Sequence, residues 1–247
     1  MSSYRVGLLV PSSNTTMETE VPEVLRRVAA ASGDDFTFHS SRMRMKTVRA
    51  EELARMNADS DRAAVELADA AVDVMAYACL VAIMSQGRGA HREIEQRLTR
   101  VARDAGDPVD VVSSAGALVA GLHHLGAKKV SIVTPYMKPL TALVADYIEA
   151  EGVEVQDAIS LEVDDNLAVG RLDQRQLPEI AGRLDTRGTD AVVLSACVQM
   201  PSLHAIPAAE TVVDLPVVTA STATSWQLLT SLGAHTPLPG TGALFKD

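Results

Sequence analysis

The sequence predicts an α/β protein with buried parallel strands, arranged as two similar halves. Short apolar runs alternate with longer amphipathic segments along the whole chain, the pattern of parallel strands covered on both faces by helices. Glycines stand where the amphipathic segments stop, at Gly33, Gly126, Gly152 and Gly188, and glycine is the usual residue just past a helix end. The chain also repeats itself weakly at long spacing. Residues 6–11 read like 130–135, residues 73–79 like 190–197, and residues 107–126 like 214–233 with Ser114 on Ser221. Matches in the same order predict two halves, 1–113 plus 220–247 and 114–219.

Taken in order, the apolar runs place strands at 4–10, 35–40, 72–76 and 109–113, then at 129–134, 154–160, 191–195 and 216–219. The amphipathic segments between them place helices at 16–30, 51–71, 88–106, 114–125, 138–151, 173–186 and 222–232. The first strand of each half ends in a proline followed by a polar loop, and the third ends in a cysteine. Ligands of open parallel sheets bind beyond the carboxyl ends of the strands. Both proline loops and both cysteines fall there, so facing halves would line one cleft with four loops.

Composition narrows the function. Hydrophobic residues make up 47% and charged residues 22% of the 247 positions, which suits a soluble protein with a substantial core. Aromatics are only 3%, leaving little material for stacking single-stranded nucleic acid. The net charge is −10, and the only basic concentration is the loose segment Arg42-Met-Arg-Met-Lys46. Nucleic acid and anionic membrane are therefore poor partners, and an anionic substrate would depend on local donors. No apolar run approaches the roughly 20 residues of a membrane span. The first strand begins almost at once, leaving no room for a signal peptide, so a cytoplasmic location with reduced thiols is expected.

Cys79 and Cys197 are the candidate reactive groups. Each follows a buried strand and precedes a short loop leading to a helix, where free backbone N–H groups and the helix dipole favour thiolate. One free cysteine is most often a small apolar core residue; a pair at equivalent strand ends is not so easily explained. The histidines at 39, 91, 123, 124, 204 and 235 show no ligand spacing, and His91-Arg-Glu-Ile-Glu lacks the second histidine of a metalloprotease helix. No metal is expected. The loop Pro11-Ser-Ser-Asn-Thr-Thr16 can cradle an anion or cap a helix, and it lacks the glycines of a nucleotide loop. Tyr136 can donate its hydroxyl to a carboxylate. The run from Glu162 to Asn166 reads as a solvated turn or as a means of presenting the Asn166 amide. Residues 41–50 carry four cations interleaved with methionines and read equally as a flap, a subunit contact or a plain surface loop.

Together Pro11-Ser-Ser-Asn-Thr-Thr, Tyr77-Ala-Cys-Leu-Val-Ala-Ile-Met, Thr134-Pro-Tyr and Ser195-Ala-Cys-Val-Gln-Met-Pro-Ser resemble the maleate cis–trans isomerase family, within the aspartate/glutamate racemase-like superfamily. The resemblance runs essentially the length of the chain. It implies two pseudo-symmetric Rossmann-like or flavodoxin-like halves with the active site between them, a homodimer, and no cofactor. It also implies that Cys79 is the nucleophile and Cys197 the proton donor. Asn14, Tyr136 and Asn166, with the backbone amides of Leu80, Val81, Val198 and Gln199, would hold the two carboxylates of maleate. The chemistry is self-consistent: thiolate addition turns the double bond into a rotatable single bond, and a second thiol protonates the neighbouring carbon. The residues alone leave open a two-cysteine amino-acid racemase, a single-cysteine decarboxylase of arylmalonate type, and a non-catalytic binder of small acids.

Overall fold

The structure, a computed structural model, describes residues 1–106 and 108–246. Asp107, which opens one of the repeated segments, and Asp247 lie outside the described residues. The first sheet is built on β1 (Ser3–Pro11), whose Val6, Leu8, Leu9 and Val10 are fully buried. A strand buried on both faces cannot alternate with polar residues, which is why this run is continuously apolar. It is flanked by β2 (Asp35–Met43) and β3 (Val74–Tyr77), with β4 (Asp110–Ser113) beyond β3, all parallel. The second sheet repeats the plan with β5 (Lys129–Thr134) inside β6 (Glu154–Ser160) and β7 (Ala191–Ser195), and β8 (Val217–Thr219) beyond β7. The strand orders are β2-β1-β3-β4 and β6-β5-β7-β8. They are the same order, second–first–third–fourth. The expected pair of similar parallel-sheet halves is present.

All eight expected strands form, and the long helices follow expectation: α1 (Met17–Ser32), α2 (Ala50–Asp69), α4 (Ala90–Ala105), α5 (Ser114–His124), α6 (Lys138–Ala150) and α10 (Ala220–Leu232). Between α2 and α4 lies the short α3 (Leu80–Met84), which starts directly after Cys79. The expected helix at 173–186 does not form as one piece. A 3₁₀ turn at Gln174–Gln176 leads into the short α8 (Leu177–Ala181), which stops at Gly182. Pro178 sits in the first turn of α8, where its missing N–H is harmless, whereas in a longer helix it would break the ladder. The short α7 (Asn166–Val169) falls in a segment read as a turn, and α9 (Ile206–Val213) is the helix expected after the loop that follows Cys197.

The third repeat is offset by one residue from its sequence alignment. Ser113 caps α5 by accepting from Gly116 N, and Thr219 caps α10 by accepting from Thr222 N in a capping box. The caps align Ser113 with Thr219, not Ser114 with Ser221. The β7–β8 ladder shifts register between Val193 and Ser195, and that irregularity absorbs the extra residue. Helix α10 follows the second sheet yet packs against α1, β3, β4 and α5. The chain end is also tied down, with Leu244 and Phe245 buried beneath α10 and β8. No described helix is long and apolar enough to cross a membrane.

Candidate active site between the sheets

Both cysteines sit where a strand gives way to a turn. Ala78 N donates to Leu9 O at 2.8 Å and Ala196 N to Val133 O at 2.9 Å, so each sheet extends one residue past its strand and then releases the thiol-bearing residue. Each cysteine is buried, 5% exposed. Burial pushes the Cys79 thiol up to about 12, with the Ala82 N–H pulling the other way and the nearby Cys197 adding to the rise. Burial raises the Cys197 thiol too, against the Tyr136 hydroxyl and the Gln199 and Met200 amides. The expected depression of these thiols by helix N-termini is thus outweighed. A charge removed from water costs more than the few amide dipoles return.

The nine residues expected to form the site all line one cavity: Asn14, Cys79, Leu80, Val81, Tyr136, Asn166, Cys197, Val198 and Gln199. Pro11, Met45 and Val48 complete its wall, and among the described residues no charged side chain lines it. The free space is about 10 Å³, room for about one water molecule. Asn14 takes up the helix-end role that its loop suggested. Its Oδ1 accepts from Thr16 N at 3.0 Å and Met17 N at 3.1 Å, capping α1, while its amide nitrogen has no protein partner among the described residues. Asn166, at the start of α7, donates from Nδ2 to Ser13 Oγ at 2.8 Å. Tyr136 brings its hydroxyl to the Cys197 thiol, and burial holds its own pKa well above the ordinary value.

Several contributors were not legible as site residues. The Gln199 side chain ties its own half to the first and to the start of α7. Its Nε2 donates to Ser13 O at 3.0 Å and Asn166 O at 2.9 Å, and its Oε1 accepts from Thr15 N at 3.0 Å. Arg42 grips the other side of the same loop, donating from both terminal nitrogens to Asn14 O at 3.0 Å and pairing with Glu18 at 2.7 Å. The segment between β2 and α2 roofs the cavity with Met45 and Val48 and turns Arg44, Lys46 and Arg49 outward. It is held by Ser12, whose Oγ donates to Met45 O at 3.1 Å, and by Glu52, which accepts from Lys46 N and Thr47 N at 2.7 and 2.9 Å. A bridge from Thr47 to Asp165 joins it to the second half. The methionine–cation alternation of this segment was the one readable signal, since a period of two marks an inward and an outward face.

The remaining candidates lie elsewhere. His204 is exposed beside Glu23 at 3.3 Å, and His91 is buried with its Nδ1 2.6 Å from the Tyr147 hydroxyl. Among the described residues, no three His, Cys, Asp or Glu side chains converge as metal ligands. Larger surface grooves exist, one of about 680 Å³ between α2 and α4, but neither thiol lines them.

The fold that builds this closed cleft between two like sheets is shared with known enzymes. The family model described as arylmalonate decarboxylase matches residues 6–245. The maleate isomerase of Alcaligenes faecalis is 58% identical over 247 residues, covering 100% of this chain and 98% of the relative. Among solved structures, a cysteine-to-alanine variant of the maleate isomerase Iso from Pseudomonas putida S16, with maleate, superposes with a TM-score of 0.97 at 54% identity, covering 98% of this chain and 97% of the other. A cysteine-to-serine variant of the Nocardia farcinica maleate cis-trans isomerase, with a covalently bound succinylcysteine intermediate, gives 0.95 at 46% identity, covering 99% and 98%. The chain belongs to the arylmalonate decarboxylase family and, within it, to the maleate isomerases.

Proposed function

We propose that this protein converts maleate to fumarate without a cofactor, by covalent catalysis between its two thiols. The observation that carries the reading is the cavity itself, in which Cys79 and Cys197 share one lining with the neutral side chains of Asn14, Tyr136 and Asn166. Cys79 gives its proton to solvent while the cleft is open to water, where burial no longer opposes the charge, and it stays a thiolate between turnovers. Its thiolate sulfur bonds to one alkene carbon, and the displaced π pair moves onto the neighbouring carbon and its carboxylate. Asn14, Tyr136 and Asn166, with the amides of Leu80, Val81, Val198 and Gln199, receive the two carboxylates; a well-placed donor to the developing charge contributes roughly 3–4 kcal/mol. Cys197 delivers its proton to the second carbon, giving a succinyl-cysteine adduct. Rotation about the new single bond, return of a proton to Cys197 and cleavage of the carbon–sulfur bond release fumarate. Atoms and charge balance without an external reagent.

The solved relative that carries a succinylcysteine supports this route. The lining also speaks against a racemase, because among the described residues no acidic side chain faces the cavity to receive a substrate ammonium. Proton NMR of the purified protein with maleate, aspartate and glutamate under reducing, metal-free conditions tests the assignment. Fumarate from maleate alone is expected; its absence would remove the proposal.

The assembly and its location belong to the same reading. A homodimer follows from the family resemblance and is checked by light scattering on the eluting species. Two unpaired thiols suit a reducing cytoplasm. The halves divide as 1–113 plus 220–247 and 114–219, supported by the packing of α10 on α1, β3 and β4. On that division the α5–α10 contact is part of the seam.

A further inference from the structure

Glu20 is a buried carboxylate, 6% exposed, that does not line the cavity and has no part in the chemistry above. It lies one turn after Thr16 on α1, so the two share a helix face. That face meets the loop running from Cys197 to Leu203. Thr16 Oγ1 donates to Gln199 O at 2.7 Å. Glu20 Oε1 accepts from Ser202 N at 2.6 Å and Leu203 N at 2.9 Å, and its Oε2 accepts from the Ser221 and Ser202 hydroxyls. Four donors on two oxygens satisfy the group, and it joins three separate pieces of chain: α1, the end of the Cys197 loop and the start of α10.

The loop is held at three points. Ser195 Oγ donates to Cys197 O at 2.8 Å at its near end. The Gln199 side chain and Thr16 fix its middle. Glu20 fixes its far end. Ser195, Gln199 and Thr16 hold the start and the middle, and among the described residues Glu20 alone holds the end from α1. A shorter reach there draws the far end of the loop, and the turn amides beside the thiol, out of register. We propose that Glu20 is a positioning residue for Cys197, reaching from the first half to set the loop that carries the second thiol. The inference rests on the assignment of Cys197 as proton donor.

The role depends on reach rather than charge. A glutamine at this position keeps one oxygen for the Ser202 and Leu203 amides, and the serine hydroxyls rotate to accept from its nitrogen. An aspartate keeps the charge but falls a methylene short. Steady-state kinetics of E20Q and E20D, with melting temperatures and mass-spectrometric mapping of thiol alkylation, separate the two. E20Q is expected to keep kcat within about threefold of the parent. E20D is expected to lose about tenfold or more in kcat with KM changed less than about twofold, since small misplacements of a reacting group carry losses of that order. In E20D the Cys197 thiol should alkylate faster while Cys79 keeps its rate. A parental kcat and Cys197 rate in E20D, or a loss in E20Q as large as in E20D, would overturn the proposal. If the parent makes no fumarate, the isomerase assignment fails by itself, and the alkylation comparison still reports whether Glu20 places Cys197.

Discussion

At the scale of single residues, the two thiols are alike in burial and unlike in company. Cys79 faces an amide at the start of α3, whereas Cys197 has a tyrosine hydroxyl as well as the Gln199 and Met200 amides. Their replacements should therefore differ. Cys79→Ser should abolish both fumarate formation and the covalent adduct, because an alcohol is far less acidic and nucleophilic than a thiol. Cys197→Ser should lower turnover by about 100-fold or more, the scale of a lost general acid, while leaving an adduct detectable by intact mass. The raised Cys79 pKa also carries a stability signature. Its folded value, about 12, stands above the ordinary 9.0, so the folded chain holds the proton after the unfolded chain has released it. That contribution is complete below the ordinary value and is lost as pH rises through the folded one. The melting temperature should fall across this alkaline window more steeply in the parent than in Cys79→Ala.

At the scale of elements, the strands and long helices were readable because each has one job and one periodicity. Ile132, Val133 and Val192 are continuously apolar because both faces of their strands are covered. The short helices were not readable, since α3, α7 and α8 have only four or five residues each, too few for a helical period to declare itself. Site side chains were readable where a residue type implies a reaction, as with the thiols, and unreadable where an ordinary residue acts through geometry. Gln199 is an example: its backbone amide was expected in the site, but nothing in the sequence announces that its side chain crosses to Ser13. Tyr77 is another. Its hydroxyl donates to Asn57 Oδ1, and Asn57 Nδ2 donates to Ala82 O at 2.9 Å, tying α2 to the helix that follows Cys79. Tyr77→Phe should lower stability by about 1–3 kcal/mol in urea denaturation, the cost of leaving a buried acceptor unpaired.

At the scale of the whole molecule, the halves are stitched rather than merely apposed. Gln199, Asn166 and Glu20 each bond across, Thr47 pairs with Asp165, and α10 leaves one sheet to pack against the other. Pieces joined by so many buried contacts should melt together, so calorimetry should show one transition whose calorimetric and van't Hoff enthalpies agree. Maleate should move that single transition upward, by mass action on the folded form.

The tightness of the cavity has a chemical corollary. A butenedioate clasped between a nucleophile and an acid is equally ready to be hydrated, and an alkene bearing two carboxylates yields malate when water wins the addition. With about 10 Å³ free in the closed cleft, maleate must enter while the cleft is open. A lining that then closes on it as tightly as this leaves water no place at the reacting carbons. The intermediate can then collapse only to an alkene, and the fidelity of the reaction is enforced by crowding rather than by any group that recognises the product. Carbon lost from maleate should therefore reappear wholly as fumarate, with no malate resonance in the spectrum. Met45→Ala, which opens the roof, should be the substitution that lets malate appear.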